Sequence, residues 1–237
     1  MLSRKQVFFR QSILYLLITL LLYALLLWMN HVLRIQSWEI YCSDSVVAQA
    51  IEDELQQIDS LDFIQGTPFL LRETLLGRIQ ALRDIKIVRR LPGSLYIEGV
   101  ARVPVALWKK GADVLLVDKG GFAYRRLLQG ENLSLPLLRA EESELIGISK
   151  LILDLKKQAP DYYEHLSECR YLFDGSLKLF FSQRQAWLLP SGEKAHRHLA
   201  KLVALLQNRR WRDGNWKVDA RQENRWFIRQ AQYGGVI

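Results

Sequence analysis

The run ILYLLITLLLYALLLWM, Ile13 to Met29, has Thr19 as its single non-apolar member and lies in a window, Gln11 to Leu33, without a permanent charge. A helix rises about 1.5 Å per residue, so roughly 20 apolar residues cross a bilayer core, and the run reads as a membrane span. Arg4, Lys5 and Arg10 precede it with no acidic residue among them. Such a cation excess marks the side retained in the cytoplasm. The expected topology is a cytoplasmic tail at residues 1–12, too short to fold, an anchor at 13–33 and all later residues outside. A cleaved signal peptide competes with this reading, but its apolar core is shorter, about 7 to 15 residues, and small residues follow it. Here the run ends in Trp28, Met29, Asn30 and His31, and a Trp at that border suits the headgroup level of an uncleaved anchor.

Outward from the anchor, about 200 residues remain, enough for one large or two small domains. With 49% apolar and 11% aromatic residues in the chain, they can bury a core. Cys42 and Cys169 are far apart in sequence and imply no disulfide framework. Two buried thiols are expected, with a bridge left open in an oxidising compartment. The net charge of +8 is uneven: Arg184 to Arg229 carries eleven Lys/Arg against four Asp/Glu. A basic face favours anionic headgroups or an acidic partner. Nucleic acid is excluded as a partner by the far side of the membrane.

Ile35, Trp38, Ile40 and Cys42 alternate as in a strand. Behind the cap cluster Ser43-Asp44-Ser45, the positions Val46, Val47, Ala50, Ile51, Leu55 and Ile58 repeat at helical spacing. Gly66-Thr67-Pro68 breaks the chain, and Leu71, Leu75, Ile79 and Leu82 form a second helical stripe. Asp84 to Arg90 alternates, and Pro92-Gly93 turns it into a return strand with Leu95 and Ile97. Strand, helix, helix, strand, strand predicts an α+β module at 34–102, two helices covering one face of a three-stranded sheet.

From Val103 the pattern changes to short strands at Pro104–Trp108, Val114–Val117 and Phe122–Arg126, with turns at Lys109-Lys110-Gly111 and Lys119-Gly120-Gly121. Leu145, Ile148, Leu151, Ile152 and Leu155 define a helix stopped by Pro160, and strands return at 166–173, 177–182 and 185–189. A helix opens near Glu193, and Trp216–Arg221 and Arg225–Arg229 close the chain as a strand pair. The prediction for 103–237 is a β-rich domain with two helices.

Ile85, Ile87, Val88, Arg89, Leu91, Pro92, Leu95 and Ile97, followed by Arg102, Pro104, Val105, Ala106 and Trp108, resemble the end of a POTRA domain and its junction with the β domain in the FtsQ/DivIB family of bacterial cell-division proteins. Val117, Asp118, Gly121 and Tyr124 sit like that family's Val-Asp-x-x-Gly-x-x-Phe turn, Leu135-Pro136 like its Leu-Pro, and Val218, Asp219 and Arg221 like its late Val-Asp-x-Arg strand. Ala101 in place of Glu, Gly99 in place of a strand hydrophobe, and Arg139 in place of Gly depart from the pattern. The resemblance implies a single-pass inner-membrane scaffold at the division septum, its bulk in the periplasm. It also implies that a late β-domain edge binds FtsB and FtsL and that the POTRA module helps recruit other division proteins.

No assembled chemistry stands out. His165 and Cys169 could share a helical turn, but an activated thiolate needs an electropositive, accessible setting. His196 and His198 point apart on a helix that reads as solvated, and no metal-ligand spacing surrounds them. Glu52-Asp53-Glu54 and Glu141-Glu142 read as exposed charge runs. The expectation is a protein without catalysis, cofactor, metal or small-molecule substrate; the competing class is an anchored periplasmic enzyme acting on cell wall. The candidate partner site is Trp216, Val218, Ala220, Arg221, Arg225, Trp226, Phe227 and Ile228, as an edge pair open to strand addition. The competing reading buries both strands, with Trp226 and Phe227 in the core.

Overall fold

The structure is a computed structural model that describes residues 4–58, 66–182, 185–208, 210–211 and 214–231, with side chains described from residue 14 on. The first element is α1, Arg4–Val32. Its stretch Leu14–Val32 is long and apolar enough to cross a membrane and buries nothing inside the protein. Thr19, the one non-apolar residue between Ile13 and Met29, donates to the Leu16 carbonyl at 2.9 Å, which satisfies the hydroxyl within the helix itself. The helix begins at Arg4, so residues expected as an unfolded tail continue the anchor's helix.

The chain divides into two units, Met1–Arg102 and Val103–Ile237. In the first, β1 (Ser37–Cys42), α2 (Ser45–Gln56), α3 (Pro68–Arg78), β2 (Leu82–Arg90) and β3 (Ser94–Ala101) follow in the predicted order. The sheet order is β1-β3-β2, with β1 parallel and β2 antiparallel to the central strand. Asp44 caps α2 by accepting from Val46 N at 2.9 Å and Val47 N at 3.3 Å. Val47, Ile51 and Leu55 of α2 and Leu71 and Leu75 of α3 are buried against Leu95 and Ile97 of β3. A Cβ at Gly99 would stand 3.0 Å from Ile51 Cδ1, so the glycine on β3 lets α2 seat closely where a larger residue was expected. Leu82 corrects the second helical stripe. The helix ends at Arg78, and Leu82 opens β2 while pointing into the same core, so the apolar spacing runs across the boundary.

The second unit holds β4 (Pro104–Lys110), β5 (Asp113–Asp118), β6 (Ala123–Arg126), β7 (Leu137–Arg139), a 3₁₀ turn at Glu142–Glu144, α4 (Leu145–Gln158), α5 (Pro160–Glu164), β8 (Leu166–Tyr171), β9 (Leu177–Phe181), β10 (Ala186–Leu189), α6 (Glu193–Leu206), β11 (Trp216–Asp219) and β12 (Phe227–Gln230). Nine strands form one sheet in the order β12-β11-β10-β9-β8-β7-β4-β5-β6. The core packs Leu145, Ile148 and Ile152 of α4 and Leu199, Leu202 and Leu206 of α6 with the inward side chains of the sheet, Trp187 among them.

Two features were not read from the sequence. Strand β7 pairs parallel with both β4 and β8 and so joins the meander β4–β6 to the later strands. Pro160 does more than end α4: it opens α5 at a position where its missing N–H costs nothing. The β4–β5 turn falls at Gly111 rather than at Lys109-Lys110, which extend β4. In the next turn, Asp118 Oδ1 accepts from Gly120 N at 2.8 Å and Phe122 N at 3.0 Å. Gly121 there has φ +79°, and a Cβ on it would lie 2.5 Å from the Ile146 Cα. That glycine lets the turn press onto the first turn of α4.

Candidate functional site

Among the described residues, strand β12 closes one edge of the sheet, and β11 is its one strand neighbour. The two run antiparallel with Trp216 opposite Gln230, Lys217 opposite Arg229, Val218 opposite Ile228 and Asp219 opposite Phe227. One residue further, Ala231 N donates to Asn215 O at 2.8 Å. Hydrogen-bonded and non-hydrogen-bonded pairs alternate along an antiparallel ladder, so Arg229 and Phe227 bond to β11. By the same alternation, Ile228 and Gln230 turn their N–H and C=O groups to the open side. The side chains alternate as well: Phe227 is 59% exposed and Arg229 exposed, while Trp226 and Ile228 pack partly against the core.

This separates the residues grouped as a partner site. Val218 and Ala220 are buried core residues, because β11 is interior between β10 and β12. Trp216 is half-buried; its Nε1–H donates to the Trp211 carbonyl at 2.7 Å, and the two rings meet edge to face at 5.0 Å. Those three side chains build the platform. Trp226 and Phe227 are adjacent and therefore divided between the faces, so the reading that put both in the core is corrected for Phe227.

The loop between the two strands is held from below and from the side. Trp226 Nε1–H donates to the Gln222 carbonyl at 2.8 Å, and its ring lies 5.8 Å from that of His198 on α6. His198 is 3% exposed, and its Nδ1 lies 2.5 Å from the Ala220 carbonyl, which places the proton on Nδ1 as the donor. The expectation that α6 leaves this histidine in solvent is thereby corrected. Arg221 donates from Nε and Nη2 to Asp219 at 3.0 and 2.7 Å and from Nη1 to Asp174 at 2.9 Å. The Arg221 hydrogen bonds hold Asp219 below the usual carboxylate range, and hydrogen bonds from Ser176, then Arg221, do the same for Asp174. Arg225 is exposed and lines a small depression with Asp174 and Arg221.

Beside the hairpin lies an open depression of about 980 Å³ whose lining includes Phe180, Leu188, Lys217, Phe227 and Arg229. Lys178 and Arg170 stack over the Phe180 ring at 4.8 and 5.3 Å. An apolar strip bordered by cations therefore runs up to the free edge.

The residues weighed for catalysis are not brought together. Cys169 is fully buried on β8, and burial pushes its thiol pKa well up, the opposite of activation. His165 caps α5. His196 Nδ1 meets Asp154 Oδ2 at 2.6 Å, on the other side of α6 from His198. Glu54 pairs with Arg78 at 2.9 Å and Glu142 with Lys110 at 3.0 Å. Among the described residues no group of three His, Cys, Asp or Glu is placed to hold a metal. Cys42 and Cys169 are both free thiols.

The junction residues have local roles. Arg102 donates from N to the Ala81 carbonyl at 2.9 Å and from Nε to the Gln80 carbonyl at 3.0 Å. Pro104 opens β4, Val105 is half-buried, Ala106 and Trp108 are buried, and Trp108 Nε1–H donates to the Ala140 carbonyl at 2.9 Å. Arg4, Lys5 and Arg10 lie on α1, and their side chains fall outside those described.

No protein-family model matches the chain. It is 28% identical over 157 residues to the cell division protein FtsQ of Rickettsia typhi, which covers 65% of this chain and 57% of that protein. The FtsQ of Rickettsia felis gives 28% over 149 residues, 62% of this chain and 54% of that protein. The chain thus spans about half the length of the curated relatives it matches. The major extracytoplasmic domain of the cell-division protein DivIB from Geobacillus stearothermophilus gives a TM-score of 0.31 at 12% identity, covering 44% of this chain and 86% of that one.

Proposed function

We propose that this chain is a cell-division protein of the FtsQ type, to which it is similar, and that it acts as a non-catalytic, bitopic scaffold of the division machinery. In this reading Arg4, Lys5 and Arg10 keep the N-terminus in the cytoplasm, α1 holds the protein in the inner membrane at the septum, and both units stand in the periplasm. Strand β12 receives a strand from an FtsB- or FtsL-type partner, and the first unit helps recruit other division proteins.

The observation that carries the reading is the free edge of β12, with Ile228 and Gln230 offering backbone groups outward and Phe227 and Arg229 exposed. Backbone pairing supplies affinity to such an edge, and the neighbouring side chains supply selection. Phe180, Leu188 and Phe227 between Lys178, Lys217 and Arg229 favour a partner segment that is apolar and acidic. Confinement of both proteins to one membrane raises their effective concentration, so a modest pairwise affinity suffices. The test is co-purification of the full chain with its own FtsB-type partner. Phe227→Lys is expected to reduce capture about tenfold with unchanged circular dichroism, as befits loss of an exposed interface aromatic. Undiminished capture overturns the edge reading.

A further inference from the structure

We infer that the turn between β2 and β3, Leu91-Pro92-Gly93, is a second membrane contact, in which Leu91 enters the headgroup layer and Arg34 and Arg90 meet anionic lipid phosphates. The inference rests on the reading of α1 as a membrane anchor. The apolar run Ile13–Met29 reaches about 26 Å at 1.5 Å per residue, close to the roughly 30 Å hydrocarbon core, which puts Leu33, about 6 Å further on, in the headgroup layer at the membrane boundary.

Three hydrogen bonds fasten the turn to that boundary. An Arg89 Nη2–H donates to the carbonyl of Leu33 itself. Gln36 N and Ser37 N donate to the Gly93 carbonyl at 2.8 and 3.4 Å. A Cβ on Gly93 would stand 2.5 Å from the Arg34 carbonyl oxygen, so the turn lies directly on the chain leaving the helix. An interfacial layer is about 5 to 7 Å thick on each side of the core, and an element bonded to the last residue of the span has little freedom to leave it.

The side chains at this place match the layer. Leu91 is 71% exposed at the tip of the turn, apolar where a turn facing only water has no need of an apolar residue. Arg34 is exposed beside it. Arg90 is also exposed; it reaches Glu39 at 3.3 Å and stacks over Tyr96 at 4.8 Å, which leaves further guanidinium donors for a phosphate. Trp28 and His31 precede the boundary on the helix, completing an amphipathic collar. Two fixings, the span and the turn, would stop the first unit from swivelling about a single helix.

The experiment uses the full chain in lipid nanodiscs, with one fluorescent NBD-bearing amino acid at Leu91 or, as reference, at Val100. Val100 is exposed on β3, seven residues beyond Gly93, about 20 Å farther along an extended strand. In discs of phosphatidylcholine with phosphatidylglycerol, the label at 91 should be quenched by headgroup-nitroxide lipid and shielded from aqueous iodide, while the label at 100 stays open to iodide. Arg34→Glu with Arg90→Glu, or discs of phosphatidylcholine alone, should weaken the shielding at 91 by about fivefold per cation lost or left without anionic lipid. Equal iodide access at 91 and 100 in protein that stays in the discs overturns the inference and leaves the anchor standing. Shielding indifferent to lipid charge and to both arginine changes overturns the phosphate contact. Loss of the protein from the discs at alkaline pH would remove the anchor, and the inference with it.

Discussion

Arg221 Nη1 donates to Asp174 Oδ2 at 2.9 Å, across 47 positions of sequence, and so fastens the end of β11 to the β8–β9 turn. The same guanidinium holds Asp219 through Nε and Nη2. The Val-Asp-x-Arg spacing at Val218, Asp219 and Arg221 is thereby explained by a clamp at the root of the candidate binding hairpin.

The clamp is expected to be acid-sensitive. Both carboxylates are held below their ordinary value of 3.8, so their contribution is complete above that value in the unfolded chain and is lost as pH falls through the lower folded values. Arg221→Ala should lower the melting temperature by about 2 °C at pH 7, since these ion pairs are largely exposed. The difference from wild type should shrink as pH falls below 3.8. Thermal unfolding of the two proteins between pH 7 and 2.5 measures it, and a gap that widens in acid contradicts the clamp.

Gly121→Ala should be costly and Gly111→Ala mild. Both glycines have positive φ, at +79° and +61°, but a Cβ at 121 meets the Ile146 backbone at 2.5 Å while one at 111 meets nothing within 4 Å. The left-handed conformation alone costs an L-residue about 1–2 kcal/mol. The clash forces α4 from its seat and should bring the total at 121 to about 3–4 kcal/mol. Urea unfolding of each variant separates the two effects, and equal costs would mean that the turn is free to move off α4.

The sequence made α2 and α4 legible because each buries one periodic stripe, which stands in the structure as Val47-Ile51-Leu55 and Ile148-Ile152-Leu155, and α6 packs in the same way through Leu199-Leu202-Leu206. Strand β7 escaped because three residues with only Leu138 buried show no alternation. Leu82 was assigned to a helix because helix and strand aim it at one core. The edge position of the closing pair was legible from its place in the chain, but its two strands were not distinguishable. Which one is interior depends on the parallel pairing of β10 with β11, a long-range contact without a local signal. The burial of His198 was likewise hidden, since the Ala220 carbonyl it satisfies lies 22 residues away.

His198 should prove a support of the hairpin. His198→Ala removes the ring beneath Trp226 and leaves the Ala220 carbonyl without its donor. An unsatisfied buried group costs about 1–3 kcal/mol. His198→Asn restores a donor near the Nδ1 position and should recover part of the loss. Chemical denaturation reads both, and an Asn variant no better than Ala would assign the role to ring packing alone.

The backbone of β12 offers the sharpest test of strand addition, because proline deletes one N–H and the ladder's alternation decides whose bond is lost. Gln230 is exposed and turns its N–H away from β11, so Gln230→Pro removes a group that only an incoming strand would use. Arg229 is its neighbour, and its N–H bonds to Lys217, so Arg229→Pro breaks the hairpin itself. The expected pattern is a fall of about tenfold in partner binding with little change in stability for Gln230→Pro, against a stability loss of about 2–3 kcal/mol for Arg229→Pro. Binding by the full chain in nanodiscs and urea unfolding give the two quantities. If Gln230→Pro binds like wild type, any partner docks by side chains on the sheet face and the open edge of β12 stays unpaired in the complex.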